Sequence, residues 1–448
     1  MMIKFGTDGV RGVANTELTP QLAFELGRAG AYVLKSTGTA DILVGKDTRI
    51  SSDMLEAALV SGICSVGGNA HLAGFIPTPA IATLVKKYGM AAGVMISASH
   101  NPVEDNGIKF FNSIGYKLDD TLEKEIEDIL NNRTALPQPT GADVGRIQSV
   151  QTAVDDYTAF LKQIMGNISL KGLKVGIDCA NGATYSVAPR IMEQLNATLF
   201  PIHITPTGTN INENCGSTHM NSIAEHVKKN KLDIGIAFDG DGDRCLMVDA
   251  KGNVLCGDSL MSICGNVLKE EGRLNKNTIV ATTMSNLGLR KMGEKMGIEI
   301  IETNVGDRYV LEAMIAGGYN FGGEQSGHFI FLDYTTTGDG LLTALQILKF
   351  MVQKNTTLHQ LNTYMKKYPQ VLVNATVKNE VKGSYNQNPV IAQAITATEA
   401  LFAENGRVLI RPSGTEPLIR IMIEGTDMAV LEKEANNLKA IIEKELHE

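Results

Sequence analysis

Tryptophan is absent from this 448-residue chain and aromatic residues make up only 5% of it, so its cores must be built from aliphatic and small side chains. The six cysteines (Cys64, Cys179, Cys215, Cys245, Cys256 and Cys264) form no C-x-x-C pair, and several stand in apolar runs. That pattern suggests neither a disulfide framework nor a zinc site. No excess of positive charge exists either: 41 basic residues face 49 acidic ones, a net charge of −8. Nucleic acid and anionic membrane surfaces are thereby argued against as main partners, and an anionic ligand must meet locally placed Arg, Lys and backbone N–H groups. Nowhere do about eighteen apolar residues run together, and the opening M-M-I-K-F-G-T-D-G has no apolar core behind Lys4, so the expectation is a leaderless cytoplasmic protein.

What the chain does have is length and punctuation. It exceeds what one hydrophobic core serves, so about three or four domains are expected. Its 43% hydrophobic and 20% charged residues are those of an ordinary globular protein. Residues 91–102 read A-A-G-V-M-I-S-A-S-H-N-P: an apolar strand opening into Ser97, Ser99, His100 and Asn101 before Pro102 stops the ladder. In α/β sheets that is where ligands bind, although Ser and Asn at strand ends also serve as plain turn formers.

Residues 238–244, F-D-G-D-G-D-R, follow another apolar run and alternate three carboxylates with glycines. Like charges so close repel unless a cation binds them. A calcium EF-hand is excluded, because its sixth position would be Arg244 instead of Gly and its twelfth Ala250 instead of Glu. An aspartyl-nucleophile phosphatase motif usually has Thr or Val as its fifth residue, where this chain has Asp243. Alternate residues of an extended segment point the same way, so Asp239, Asp241 and Asp243 can face one hard cation, for which Mg²⁺ is expected.

Taken in order, residues 5–12, F-G-T-D-G-V-R-G, suit a loop approaching a ligand as well as a surface turn. Thr19 and Pro20 then predict a helix start. Segments 42–49, 173–182 and 278–286 each read as a strand breaking into small polar residues, and each precedes a second strand-to-loop element at 91–102, 234–244 or 320–328. Three similar α/β units in tandem would explain both sets. Breaks fall at 135–145, 249–257 and 365–370. Beyond the last, alternation at Val371, Val373, Ala375 and Val377, a helix from about 388 to 404, strands at 407–410 and 419–424 and a closing amphipathic helix predict a small α+β domain.

Two further loops carry polar groups. Residues 411–417, R-P-S-G-T-E-P, combine Arg411, hydroxyls and backbone N–H groups around Gly414 into a nest suited to phosphate. Residues 322–328, G-G-E-Q-S-G-H, read as a plain loop or as a set (Glu324, Ser326, His328) able to bind sugar hydroxyls. Lys109, in G-I-K-F-F, reads equally as a strand lysine and as an acid or base whose apolar neighbours lower its pKa.

Together with N-I-N-E-N-C-G-S-T-H at 210–219, these motifs resemble the α-D-phosphohexomutase family over essentially the whole chain, and within it the amino-sugar branch. The resemblance implies three tandem similar mixed α/β domains plus a C-terminal α+β domain, arranged as a heart with a central active-site cleft. The loops divide as 1–152 with the phosphoserine, 153–254 with the metal, 255–367 with the sugar and 368–448 with the phosphate. It implies that Ser99 carries a phosphoryl group and that an oxygen of this phosphoserine joins Asp239, Asp241 and Asp243 on one Mg²⁺ per subunit. Catalytic help would come from Arg11, Lys109, His100 and His328. Substrate would be held by Arg244, Glu324, Ser326, Arg411, Ser413, Gly414 and Thr415. The implied reaction interconverts glucosamine 6-phosphate and glucosamine 1-phosphate through a 1,6-bisphosphate, with glucosamine or glucose 1,6-bisphosphate as activator, and supplies UDP-N-acetylglucosamine for the cell wall. A homodimer is compatible with this reading. A mutase for glucose or mannose phosphates, a phosphosugar phosphatase and a non-catalytic sensor are the competing readings.

Overall fold

The computed structural model describes residues 3–6, 8–35, 40–413 and 416–446. They fall into two compact units, one of Met1–Met284 with Ile298–Tyr364 and one of Ser285–Gly297 with Met365–Glu448.

The larger unit holds three sheets. The first contains β1 (Val10–Val13), β2 (Asp41–Lys46), β3 (Asn69–Phe75), β4 (Ala92–Ile96), β5 (Asp105–Asn112) and β6 (Ile147–Ser149), in the order β1-β5-β4-β2-β3-β6. The second contains β7 (Lys174–Asp178), β8 (Thr198–Ile202), β9 (Ile234–Phe238), β10 (Cys245–Asp249) and β11 (Val254–Leu255), ordered β11-β10-β9-β7-β8. The third contains β12 (Thr278–Thr282), β13 (Glu299–Thr303), β14 (Phe321–Gly323) and β15 (Phe329–Phe331), ordered β13-β12-β14-β15.

One motif recurs in all three. A first strand pairs in parallel with the second and third, and the third turns back into an antiparallel fourth: β3‖β2‖β4 then β5, β8‖β7‖β9 then β10, β13‖β12‖β14 then β15. The reversal must occur at the carboxyl end of the parallel strands, where α/β sheets expose their backbone to ligands. The three reversals are residues 97–104, 239–244 and 324–328, the serine, acidic and Glu-Ser-His loops.

The first sheet shows how a loop end is fixed by packing behind it. Ile42, Val44, Val94, Ile96 and Ile108 are fully buried and share a core with Leu26, Leu55, Leu59 and Ile63 of helices Pro20–Val33 and Ile50–Ser65. The Thr19 hydroxyl caps the first of these helices, accepting from Leu22 N at 3.2 Å, with Pro20 in its first turn as the sequence predicts. The two helices meet backbone to backbone. A Cβ on Gly27 would lie 2.2 Å from the Leu59 carbonyl oxygen, and one on Gly62 would lie 2.0 Å from that of Phe24.

In the smaller unit β16 (Gln370–Thr376), β17 (Arg407–Pro412) and β18 (Leu418–Glu424) form an antiparallel sheet ordered β16-β18-β17. Ile419, Ile421 and Ile423 bury one face against helices Pro389–Phe402 and Met428–Glu445, contributed by Ile391, Leu431, Leu438 and Ile442. The buried Glu424 accounts for the early segment in this unit. It accepts from Asn286 Nδ2 at 2.7 Å, Leu287 N at 3.1 Å and Arg407 Nε at 2.7 Å, so it ties residues 285–297 to the last sheet. Among the described residues no helix is long and apolar enough to cross a membrane.

Replacing an interior helical glycine by alanine normally stabilises a helix by up to about 1 kcal/mol. Gly62→Ala should do the reverse, destabilising the protein by about 1–3 kcal/mol, because the methyl group meets backbone that cannot yield. Denaturant unfolding of the two proteins checks the sign.

Candidate active site

The acidic loop follows β9 directly. Gly242, at φ 73°, turns it, and its N–H bonds back to the Asp239 carbonyl at 3.1 Å. Asp239, Asp241 and Asp243 are all buried, and each offers an oxygen within 4.8 Å of the others. Burial, then Asp243 and Asp241, push Asp239 well above the usual carboxylate range. Asp243 is held below it: burial opposes its charge, but His328, Lys109 and Arg244 outweigh that cost. Asp241 Oδ1 and Asp243 Oδ1 are buried without a hydrogen-bond partner among the described residues. Clustered all-oxygen donors with unsatisfied lone pairs fit a hard divalent cation.

Positive groups ring this cluster. Lys109, 1% exposed on β5, reaches Asp241 Oδ2 at 2.8 Å and Asp8 Oδ2 at 3.0 Å. Its neighbours in sequence suggest a lowered pKa, and burial does act that way, but Asp241, Asp8 and Asp243 outweigh it and raise the pKa. The expectation considered the apolar flanks and had no means of seeing the partners across the sheet. Arg11 pairs with Asp8, and Lys117 bridges Asp8 Oδ1 at 2.6 Å to Asp307 Oδ2 at 2.5 Å. Thr78 fixes the loop twice, its hydroxyl 2.6 Å from Asp241 Oδ2 and its N–H 2.9 Å from the Asp241 carbonyl.

Ser99 lies against the cluster, its hydroxyl donating to Asp239 Oδ2 at 2.6 Å with His100 Nδ1 at 3.3 Å. The two loops touch closely enough that a Cβ on Gly240 would sit 2.5 Å from the Ser99 carbonyl oxygen. Burial, then Arg244, push His100 down to about 4. Ser99 has φ 53°, a left-handed conformation uncommon for serine, and the surroundings enforce it. Arg49, 1% exposed, pairs with Asp47 at 2.8 Å and donates to the carbonyls of Ser99 at 3.0 Å, Asn101 at 2.8 Å, Asp105 at 3.0 Å and Pro102. Asp47 accepts from Ser97 Oγ at 2.6 Å, and that oxygen accepts from Ser99 N at 2.9 Å. Asn212 Nδ2 adds bonds to the Ser99 and Asn101 carbonyls at 2.9 and 3.1 Å.

The third loop joins the second through a bridge between Arg244 and His328 and a bond from Cys245 N to the Gly327 carbonyl at 3.0 Å. His328 Nε2 accepts from Gly338 N at 3.1 Å, which leaves Nδ1 to face Asp243 Oδ2 at 3.5 Å. Burial works against charge on His328, but Asp243 and Asp307 raise its pKa. Glu324 Oε1 accepts from Gly306 N at 3.1 Å, while the buried Ser326 hydroxyl has no hydrogen-bond partner among the described residues. Ser99, His100, Lys109, Arg11, the three aspartates, Arg244, Glu324, Ser326 and His328 all belong to the larger unit.

Arg411 and Ser413 belong to the smaller one. Arg411 stands opposite Arg420 across β17 and β18, and among the described residues no hydrogen bond or ion pair holds its guanidinium, whereas Arg420 pairs with Glu416 at 2.9 Å. Ser413 N bonds to the Leu418 carbonyl at 2.9 Å. Gly414 and Thr415 lie outside the described residues.

Domain families of phosphoglucomutase/phosphomannomutase match in sequence: alpha/beta/alpha domain I at residues 2–136, domain II at 155–252, domain III at 256–368 and the C-terminal domain at 372–441. Phosphoglucosamine mutase of Caldicellulosiruptor saccharolyticus is 56% identical over 445 residues, spanning 99% of both chains. That of Desulforamulus reducens is 55% identical over 440 residues, or 98% of both. This chain belongs to the phosphoglucosamine mutase family. Its fold is shared with a phosphoglucomutase/phosphomannomutase family protein of Burkholderia thailandensis, with TM-score 0.79, 23% identity and coverage of 99% of this chain and 98% of that one. Members of this superfamily are isomerases, and so is this protein.

Asp47, Arg49, Thr78, Lys117, Asn212 and Asp307 escaped the sequence reading. Asp47 and Arg49 did carry a signal, since they lie where segment 42–49 breaks into polar residues, Asp47 directly after β2 much as Asp178 closes β7 in the second unit. Arg49→Lys removes most of the donors that hold the serine loop. A displacement of about 1 Å at a reacting group costs about 10²-fold in rate, so kcat should fall by about that factor with a much smaller change in KM. Steady-state kinetics with an unfolding control measures it, and kcat within about threefold of wild type would detach Arg49 from catalysis.

Proposed function

We propose that this chain interconverts glucosamine 6-phosphate and glucosamine 1-phosphate through a phosphoryl group on Ser99, feeding UDP-N-acetylglucosamine and cell-wall synthesis from the cytoplasm. The observation that carries the site assignment is the Ser99 hydroxyl, 2.6 Å from Asp239 within a buried acidic cluster. The substrate follows from the identity to phosphoglucosamine mutases over nearly the whole chain, which disfavours a glucose or mannose phosphate mutase.

Asp239, Asp241 and Asp243, joined by an oxygen of the phosphorylated Ser99, would hold Mg²⁺. Bound there, the ion would neutralise phosphoryl oxygens. The chain's own residues do the rest. As the bond from phosphorus to Ser99 Oγ breaks, one forms to the free hydroxyl of the sugar phosphate, whose proton passes to a neighbouring base. The product is a 1,6-bisphosphate. Reorientation presents its other phosphate, and the reverse transfer regenerates phosphoserine and releases the isomeric monophosphate, so no phosphate is consumed. His100, 3.3 Å from Ser99 Oγ, is placed to exchange a proton there, and Lys109 and His328 complete the set of proton donors and acceptors. Arg11 and Arg244 add charge for the transferring group. Glu324 and the unpartnered Ser326 hydroxyl hold sugar hydroxyls. Arg411, Ser413, Gly414 and Thr415 bind phosphate, consistent with an Arg411 guanidinium that pairs with none of the described residues. One such loop then falls in each of 1–152, 153–254, 255–367 and 368–448. A bisphosphate lost before reorientation leaves Ser99 without its phosphoryl group, so added glucosamine or glucose 1,6-bisphosphate would act as activator.

Ser99→Ala should lose essentially all turnover while unfolding like wild type, because a hydroxyl at a loop end contributes little stability. Intact mass should show one phosphoryl group on active wild type and none on the variant. Wild-type kcat in Ser99→Ala removes the nucleophile. A kcat/KM favouring glucose 6-phosphate over glucosamine 6-phosphate removes the substrate assignment.

A further inference from the structure

A second group of metal-ligating side chains lies in the larger unit, apart from the aspartates of the acidic loop. Asp178 at the end of β7, His203 just beyond β8 and Cys215 in the loop before helix Asn221–Asn230 each bring a donor atom within 4.8 Å of the other two. Asp178 and Cys215 are fully buried, and the His203 side chain is 31% exposed. His203 Nδ1 lies 3.0 Å from Asp178 Oδ2, and that carboxylate raises the imidazole's pKa against the opposing effect of burial. The histidine takes φ 49°, a region rarely used by residues other than glycine, and its carbonyl is held by Asn181 N at 2.8 Å. Asp178 accepts from Ala180 N at 2.9 Å and Gly216 N at 3.0 Å, one bond on each oxygen, so each oxygen keeps a lone pair.

We propose that Asp178, His203 and Cys215 form a second metal site, for a soft divalent cation of the zinc type. Thiolate, imidazole and carboxylate together select such an ion over Mg²⁺, and three protein ligands leave one position open on the exposed side of His203. On binding, the Cys215 thiol releases its proton to solvent and the sulfur bonds the metal, with neutral His203 Nδ1 as the second donor. The site has a mechanical connection to the serine loop. Three residues before Cys215, Asn212 bonds through its N–H to the Ala180 carbonyl at 2.9 Å and through Nδ2 to the Ser99 carbonyl at 2.9 Å. Metal across Asp178, His203 and Cys215 therefore stiffens the segment that steadies Ser99. Spacings of 25 and 12 residues between the ligands, with no repeated motif, hide this group from a sequence reading that looks for paired cysteines.

The test is titration of chelator-treated full-length protein with Co²⁺ in saturating Mg²⁺, followed by the thiolate-to-cobalt charge-transfer absorption. Wild type should take up one equivalent with that band, Cys215→Ser should lack the band, and Zn²⁺ should displace the cobalt. Because losing even an outer partner of a ligand costs about 10–100-fold in metal affinity, His203→Gln should bind at least about tenfold more weakly. Absence of the band in wild type, or its persistence in Cys215→Ser, overturns the proposal. Should Cys215→Ser fail to fold, unchanged cobalt affinity in folded His203→Gln overturns it equally.

Discussion

Three buried carboxylates crowded onto five residues are the constraint that the rest of the larger unit serves. Left alone they would repel one another and desolvate at a cost of several kcal/mol per ion. The fold meets them with Lys109, Arg244, His328 and the Thr78 hydroxyl, and among the described residues it still leaves Asp241 Oδ1 and Asp243 Oδ1 without a hydrogen bond. A divalent cation would satisfy the residual demand for positive charge. Ser99 stands beside that cluster, its hydroxyl donating to Asp239.

The repeated strand order converts this local demand into a site. Each α/β motif places one reversal at the carboxyl end of its parallel strands, and the Arg244–His328 bridge and the Gly240–Ser99 approach bring neighbouring reversals into contact. Precision comes from behind. Arg49 anchors three carbonyls of the serine loop and that of Asp105 at the start of β5 from the cap position of a helix whose own place is set by the Gly27 and Gly62 contacts. Stability of that helix pair and geometry of the serine loop are therefore the same question.

Much of this was legible in the chain because it is local. Thr19 and Pro20 announce a helix, alternation at 371–377 announces a strand, and glycine-spaced aspartates announce a buried acidic cluster able to hold a metal. The three strand-to-loop pairs pointed to three similar α/β units, since each pair is a contiguous stretch, while the strand order they share comes from the structure. What stayed hidden depends on partners distant in sequence. Lys109 looked like a residue with a lowered pKa until Asp241, 132 residues away, appeared beside it. Glu424 holding Asn286 across 138 residues has no local signature, and neither has Asn212 reaching Ser99. The assignment of phosphate to Arg411 still rests on its motif and its unpaired guanidinium, with Gly414 and Thr415 outside the described residues.

The central claim is that the acidic cluster is a cation site completed by phosphorylated Ser99. Calorimetric titration of Mg²⁺ into phosphorylated and dephosphorylated wild type and into Asp241→Asn tests it most directly. The account predicts one site per chain, weakened by loss of the phosphoryl dianion and weakened again by loss of the Asp241 charge. Equal Mg²⁺ affinity in all three proteins would contradict it.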